Sequence, residues 1–265
     1  MATNKVRKRK AHVNDGCLES IDDLESAKHG GNDHINFAEC KELAEKIKLM
    51  RPEEQCAEPK LMKMTENGSS WMLHVSNYKK PPSQELFEKM WDGHPKDRKS
   101  LGMLYGRPAF ENRFSQTYGD KSYSYSGYKE NSSSARPISD DPILSDLINE
   151  IHSLVDPSRG PFNGCLTNWY LPEHTIASHA DDEKQLKIHH PIFSLSWGGP
   201  RRFLVKPKRG VIGATSADIL INCGDLVIMG GTLQDTHKHE VPKWRKTKDV
   251  FIPGRRINWT VRAFK

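Results

Sequence analysis

The first 35 residues are polar, charged and glycine-containing, with almost no hydrophobic pattern. Such a stretch has too little apolar surface to offset the entropy of ordering the chain, so it is expected to be disordered. From Asn36, a capping residue type, Phe37, Cys40, Ala44 and Ile47 recur at helical spacing. They predict a short amphipathic helix ending near Arg51-Pro52. Residues 52–68 read as a linker. Trp71–Val75 then reads as a strand, and Pro81-Pro82-Ser83 opens a helix with Leu86, Phe87, Met90 and Trp91 on one face. Leu101–Tyr105 is strand-like, turned by Gly106-Arg107-Pro108. Asp141 caps a further helix, with Pro142 in its first position and a stripe of Leu144, Leu147, Ile148, Ile151, Leu154 and Val155.

After Gly164 the chain reads as short strands broken by turn residues. The candidates are Cys165–Tyr170, Ile192–Trp197, Arg202–Val205, Asp218–Ile221, Asp225–Met229 and Arg256–Phe264. Gly198-Gly199-Pro200, Asn222-Cys223-Gly224 and Gly230-Gly231 supply the breaks. Helices first and many short strands afterwards predict a mostly β fold with flanking helices. The core is expected to be a double-stranded β-helix, or jelly roll.

Composition narrows the class. A chain of 265 residues holds one ordinary domain, or one with an extension. The division is placed at residue 60, with 1–60 a basic, largely disordered extension whose one candidate element is the short helix, and 61–265 the main folded domain. The net charge of +6 and pI near 9.0 favour a polyanionic partner, although 34 acidic residues offset much of the excess. Lys5–Lys10 reads equally as a nuclear address, a phosphate-binding arm or a solvated tail. No apolar run approaches the roughly 18–20 residues that cross a membrane, and the amino terminus does not read as a secretory signal. Cys17, Cys40, Cys56, Cys165 and Cys223 are scattered without CxxC spacing. This predicts an intracellular protein, nuclear or cytoplasmic, and argues against a disulfide framework or zinc ribbon.

The candidate chemistry begins with His179 and Asp181. Residues two apart in an extended segment point the same way and can grip one ion. Two imidazoles and one carboxylate cap one face of an octahedral Fe(II), leaving three positions for a co-substrate and dioxygen. The second imidazole comes from His239 or His237, which share a strand face, with His189 and His190 also near in sequence. In Arg256–Arg262 alternation puts Arg256, Asn258, Thr260 and Arg262 on one face, and Ile257, Trp259 and Val261 on the other. Fixed cations beside an amide and a hydroxyl make a poor core but a good cradle for a small dicarboxylate, which guanidinium groups bind bidentately.

Asn168-Trp169-Tyr170, His179-Ala180-Asp181-Asp182-Glu183, His237-Lys238-His239-Glu240-Val241-Pro242 and the closing Arg-x-Asn-x-Thr-x-Arg resemble the AlkB family. These are Fe(II)/2-oxoglutarate dioxygenases that demethylate nucleic-acid bases, and the likeness runs in order from about Trp71 to Phe264. It implies a metal held by His179, Asp181 and His239 as the catalytic centre. His239 is selected over His237 because the family's ligand immediately precedes a small residue and proline. Arg256 would clamp the distal carboxylate of 2-oxoglutarate, with Asn168, Tyr170, Asn258 and Arg262 lining the rest. Glu183 would meet the flipped base and pair with Arg262. Tyr125, with Tyr123, would stack on that base, and Tyr105 beside Gly106 would fill the gap it leaves in a duplex. Lys206, Lys208, Arg209 and the Lys243–Lys248 run are the expected phosphate contacts. The implied cofactors are Fe(II), 2-oxoglutarate and O2, and the implied partner is methylated DNA or RNA, bound by a monomer away from membranes. The implied reaction repairs 1-methyladenine and 3-methylcytosine, turning 2-oxoglutarate into succinate and releasing formaldehyde, with an N-terminal nucleotide-recognition extension ahead of the core.

The same residues leave room for a hydroxylase acting on protein or lipid, or a module that recognises methylated nucleic acid without turnover. A structural zinc protein is disfavoured, because such sites use cysteine and this one has none.

Overall fold

The computed structural model describes residues 37–51, 57–119, 135–246 and 251–265. In chain order the elements begin with α1 (Phe37–Met50), β1 (Lys60–Lys63), β2 (Ser70–Val75), α2 (Gln84–Asp92), β3 (Ser100–Leu104), β4 (Arg107–Phe110) and β5 (Phe114–Gly119). They continue with α3 (Pro142–Leu154), β6 (Gly164–Tyr170), β7 (Ile176–His179), β8 (Ile192–Gly198), β9 (Arg201–Pro207) and β10 (Ala217–Ile221). The last are β11 (Leu226–Gly231), α4 (Leu233–Thr236), β12 (His237–Val241) and β13 (Arg256–Arg262). Two antiparallel sheets face one another: a seven-stranded one in the order β1-β2-β11-β8-β13-β6-β5, and a four-stranded one in the order β10-β9-β12-β7. This is the expected jelly roll with flanking helices.

The larger sheet is covered on both faces, and period-two alternation decides which side chain goes where. Trp71, Leu73 and Val75 of β2 and Ile257, Trp259 and Val261 of β13 pack beneath Cys40, Leu43, Ala44 and Ile47 of α1 and the Leu144–Leu154 stripe of α3. On the other face Met72, Val227 and Met229 meet Phe203, Val205, Ile219, Ile221 and Val241 between the sheets. Each such large side chain contributes about 1.5–3 kcal/mol by leaving water. The space between the sheets is therefore apolar toward β2 and β11. Toward β13 and β6 the same space holds Arg256, Asn258, Thr260, Arg262, Asn168 and Tyr170, all buried. Trp71 lies across its register partner Gly230, where a Cβ would stand 2.0 Å from the ring. Only glycine fits there.

Several elements differ from expectation. Helix α1 lies in the segment expected to be an extension, yet its buried face joins the same core as the sheet. β1 occupies part of the expected linker; as an edge strand with lysine at both ends, it lacks the two-sided burial that makes a pattern readable. Tyr105-Gly106 forms the turn between β3 and β4, so Arg107 and Pro108 open a strand and are not part of the turn. β7 ends at His179, so Asp181 and Glu183 do not continue a strand alternation. The expected cap at Asn36, the tail 1–35, Tyr123, Tyr125 and Lys248 lie outside the described residues.

Candidate metal centre

The smaller sheet brings the two imidazoles together by register. His179, the last residue of β7, pairs directly with His239 on β12, and their ring centroids are 4.2 Å apart. The chain then leaves the sheet, and the backbone N–H of Asp181 donates to Gln234 Oε1 of α4 at 2.9 Å. That bond aims Asp181 back at the histidines. Ligand atoms of His179, Asp181 and His239 all lie within 4.8 Å of one another.

The hydrogen bonds assign each atom a role. His179 Nδ1 donates to Ala177 O at 2.8 Å, which leaves the Nε2 lone pair facing Asp181 Oδ1 at 3.6 Å. Arg262 forks onto the other Asp181 oxygen, with Nη2 at 2.8 Å and Nε at 3.2 Å. Asp181 Oδ1 is buried without a hydrogen-bond partner. An anionic oxygen in that state costs several kcal/mol unless a cation meets it. A divalent ion between Oδ1 and the imidazole nitrogens removes that cost, so the residues fit the metal.

Electrostatics agree with ligation. Burial alone would raise the Asp181 pKa, but Arg262, His239 and His179 hold the carboxyl well below the usual range. Burial, helped by His179, pushes His239 down to about 3, against the pull of Asp181. His179 is also lowered by burial, with Arg113 and Arg262 adding to the effect against Asp181. Both imidazoles are thus neutral near pH 7, the form that binds a metal.

The other histidines are committed elsewhere. His237 Nε2 donates to Thr215 O at 3.0 Å while its Nδ1 accepts from Thr236 Oγ1 at 2.7 Å. His189 pairs with Asp235, and His190 with Arg159 O.

Beside the metal ligands the pocket is lined by Asn168, Tyr170, Ser194, Arg256, Asn258 and Thr260. Arg256 is 2% exposed; its Nη2 donates to Ser196 Oγ at 2.8 Å, and its guanidinium carbon sits 5.0 Å from the Tyr170 ring centroid. Its Nε and Nη1 are buried without partners, and no carboxylate among the described residues ion-pairs with it. A fixed cation in that condition is matched by an incoming carboxylate. Burial draws the Arg256 pKa down, and Tyr170 opposes the shift. Asn258 lines the wall with its amide already used: Nδ2 donates to Ser194 Oγ and Leu195 O, and Oδ1 accepts from Thr260 Oγ1. Arg262 orients Asp181 and forms part of the wall between this pocket and a neighbouring one that contains Glu183.

Tyr105 is 97% exposed at the tip of the β3–β4 hairpin. Lys206 pairs with Glu240 and Lys208 with Asp182. Sequence reasoning did not single out Gln234, Arg113 or Glu111. A lone polar residue in a loop or a single helical turn carries no pattern, and only the fold brings these beside the site.

A family model described as the 2OG-Fe(II) oxygenase superfamily matches residues 36–262. Among curated proteins the chain is 31% identical over 159 residues to the DNA oxidative demethylase ALKBH2 of Arabidopsis thaliana, spanning 52% of this chain and 48% of that one. It is 28% identical over 159 residues to the alpha-ketoglutarate-dependent dioxygenase alkB homolog 3 of Rattus norvegicus, spanning 57% and 50%. The chain thus spans about half the length of the curated relatives it matches. The solved structure of OsALKBH1 aligns at 21% identity and a TM-score of 0.42, covering 72% of this chain and 96% of that one.

Proposed function

The chain belongs to the 2OG-Fe(II) oxygenase superfamily, among its AlkB-family dioxygenases, and on that premise we propose that it demethylates N-alkylated bases in DNA or RNA. The preferred lesions are of the 1-methyladenine and 3-methylcytosine type, whose methyl group blocks pairing and adds positive charge. The observation that carries the reading is the unpartnered Asp181 Oδ1 facing His179 and His239, beside the free donors of buried Arg256.

His179, Asp181 and His239 would hold Fe(II), and Arg256, Tyr170 and Asn168 would receive 2-oxoglutarate. When bound, that pair supplies with dioxygen the oxidising power that hydroxylates an N-methyl group. Of the two oxygen atoms, one would end in succinate as carbon dioxide leaves, and the other would form the hydroxymethyl group. This departs as formaldehyde, and the freed ring nitrogen returns to its unmethylated state. The residues of this chain keep Asp181 ionised through Arg262 and keep the imidazoles neutral by burial. The target base must first leave its stack, which costs a few kcal/mol and less where methylation has already broken the pair. Tyr105 at the exposed hairpin tip and the carboxylate of Glu183 support that reading, as do the demethylase activity in the name of the ALKBH2 relative and the basic balance of the chain. The free described cysteines, Cys40, Cys165 and Cys223, support a reducing, intracellular setting.

The test is formaldehyde and succinate release, side by side, on methylated single-stranded DNA, duplex DNA, RNA and a methylated histone peptide. Release from one of the nucleic acids, lost in Asp181→Ala while circular dichroism shows the variant still folded at the assay temperature, is the expected result. Turnover confined to the peptide would replace the substrate class. Undiminished turnover in Asp181→Ala would overturn the metal assignment.

A further inference from the structure

We propose that Glu111, Arg113 and Ser115 form a buried brace that fixes the amide of Asn168 and thereby sets the affinity for 2-oxoglutarate. The inference rests on the co-substrate reading of the pocket given above. Arg113 Nε donates to Asn168 Oδ1 at 2.6 Å, and its Nη2 donates to Glu111 Oε1 at 3.2 Å. Ser115 Oγ donates to the other oxygen of Glu111 at 2.6 Å. All of them are buried: Glu111 is 6% exposed, Arg113 5%, Ser115 1% and Asn168 3%. With both of its oxygens engaged, Glu111 neutralises the guanidinium, the condition under which buried charges are tolerated.

The brace matters because an asparagine amide has two ends of nearly equal shape and opposite hydrogen-bonding sense. A guanidinium has no acceptor, so the end of Asn168 that meets Arg113 is the oxygen. The Nδ2 donors are left for the pocket wall that Asn168 shares with Tyr170 and Arg256. A carboxylate or keto oxygen entering there meets donors. Without Arg113 the amide is free to turn and present an oxygen to an oxygen. Ser115, Asn168 and Asn258 are register partners across β5, β6 and β13, so the brace extends one polar row across the sheet. Asn258 is anchored at both ends of its amide, whereas among the described residues Asn168 is held through its oxygen alone. A buried ion pair is seldom more stabilising than apolar packing of the same volume. Its place against a pocket-lining amide therefore points to orientation, and Arg113 is a positioning residue.

The experiment titrates 2-oxoglutarate into the Mn(II)-loaded full chain by calorimetry, with Mn(II) affinity and melting temperature measured for each variant. Arg113→Met is expected to weaken 2-oxoglutarate binding about tenfold, in the range known for groups that orient ligands, while Mn(II) affinity changes far less. Arg113→Lys, which still donates, recovers most of the loss. Asn168→Asp offers Arg113 an oxygen and a counter-charge, so its melting temperature is held or raised, yet its 2-oxoglutarate affinity falls by at least about tenfold because the donors are gone. Wild-type affinity in Arg113→Met or in Asn168→Asp would overturn the proposal, as would a loss in Arg113→Met that Arg113→Lys does not recover. Failure of the wild type itself to bind 2-oxoglutarate would instead overturn the reading of the pocket on which it rests.

Discussion

Arg262 shows how one side chain serves both stability and site geometry. Its fork onto Asp181 Oδ2 fixes the carboxylate so that Oδ1 faces the imidazoles, and the pair is almost wholly buried. Breaking such a pair from one side leaves an uncompensated charge and costs about 3–5 kcal/mol. Arg262→Met should therefore lower the urea midpoint sharply and weaken Mn(II) binding by about 10–100-fold, measured by titration of the folded protein. Denaturation and metal affinity both at wild-type values would show that Asp181 is oriented by something else. The inward set Arg256, Asn258, Thr260 and Arg262 was legible in the sequence because strand alternation needs only spacing. Their separate tasks were not legible, since partners such as Ser196, Ser194 and Asp181 come from distant segments.

Among the elements, α3 was readable because its signals are local: the Asp141 cap, Pro142 and the apolar stripe agree. Asp141 has a second task that spacing did not reveal. Its Oδ1 accepts from Leu144 N at 3.0 Å, and its Oδ2 accepts from Trp259 Nε1 at 2.7 Å, joining the helix start to the strand that carries Arg256. Asp141→Ala removes a cap worth about 1 kcal/mol and orphans a buried indole N–H at about 1–3 kcal/mol more. Ser83→Ala, at the exposed cap of α2, removes the cap alone, about 1 kcal/mol. Urea melts should place Asp141→Ala clearly below Ser83→Ala, and equal midpoints would refute the bridging role. The edge strands β1 and β7 and the single turn α4 escaped sequence reading for one reason. Four residues with one covered face do not repeat a period often enough to be seen.

For the whole molecule, the sandwich sets the candidate metal centre between its sheets, and the proposed recognition of nucleic acid would fall to projecting parts. The β3–β4 hairpin exposes Met103 at 68%, Leu104 at 56%, Tyr105 at 97% and Phe110 at 51%, an apolar group that a freely solvated turn does not need. Tyr105 also has φ of 50° beside Gly106 at 76°, a primed turn in which tyrosine costs about 1 kcal/mol or more. Asparagine accepts that conformation readily. Tyr105→Asn should therefore leave the melting temperature unchanged or raised, and leave 2-oxoglutarate affinity unchanged. If the side chain fills the gap left by an extruded base, the same variant weakens binding to a methylated duplex by about 1–3 kcal/mol, the scale of an aromatic stack on a base. Binding should fall with rising salt for both proteins with similar slopes, since the substitution removes no phosphate contact, whereas lysines such as Lys206 and Lys208 would each contribute about one unit to that slope. Fluorescence anisotropy with a labelled duplex at several salt concentrations separates the two contributions. A Tyr105→Asn protein that binds the duplex as tightly as wild type at every salt concentration would remove the hairpin tip from the recognition surface.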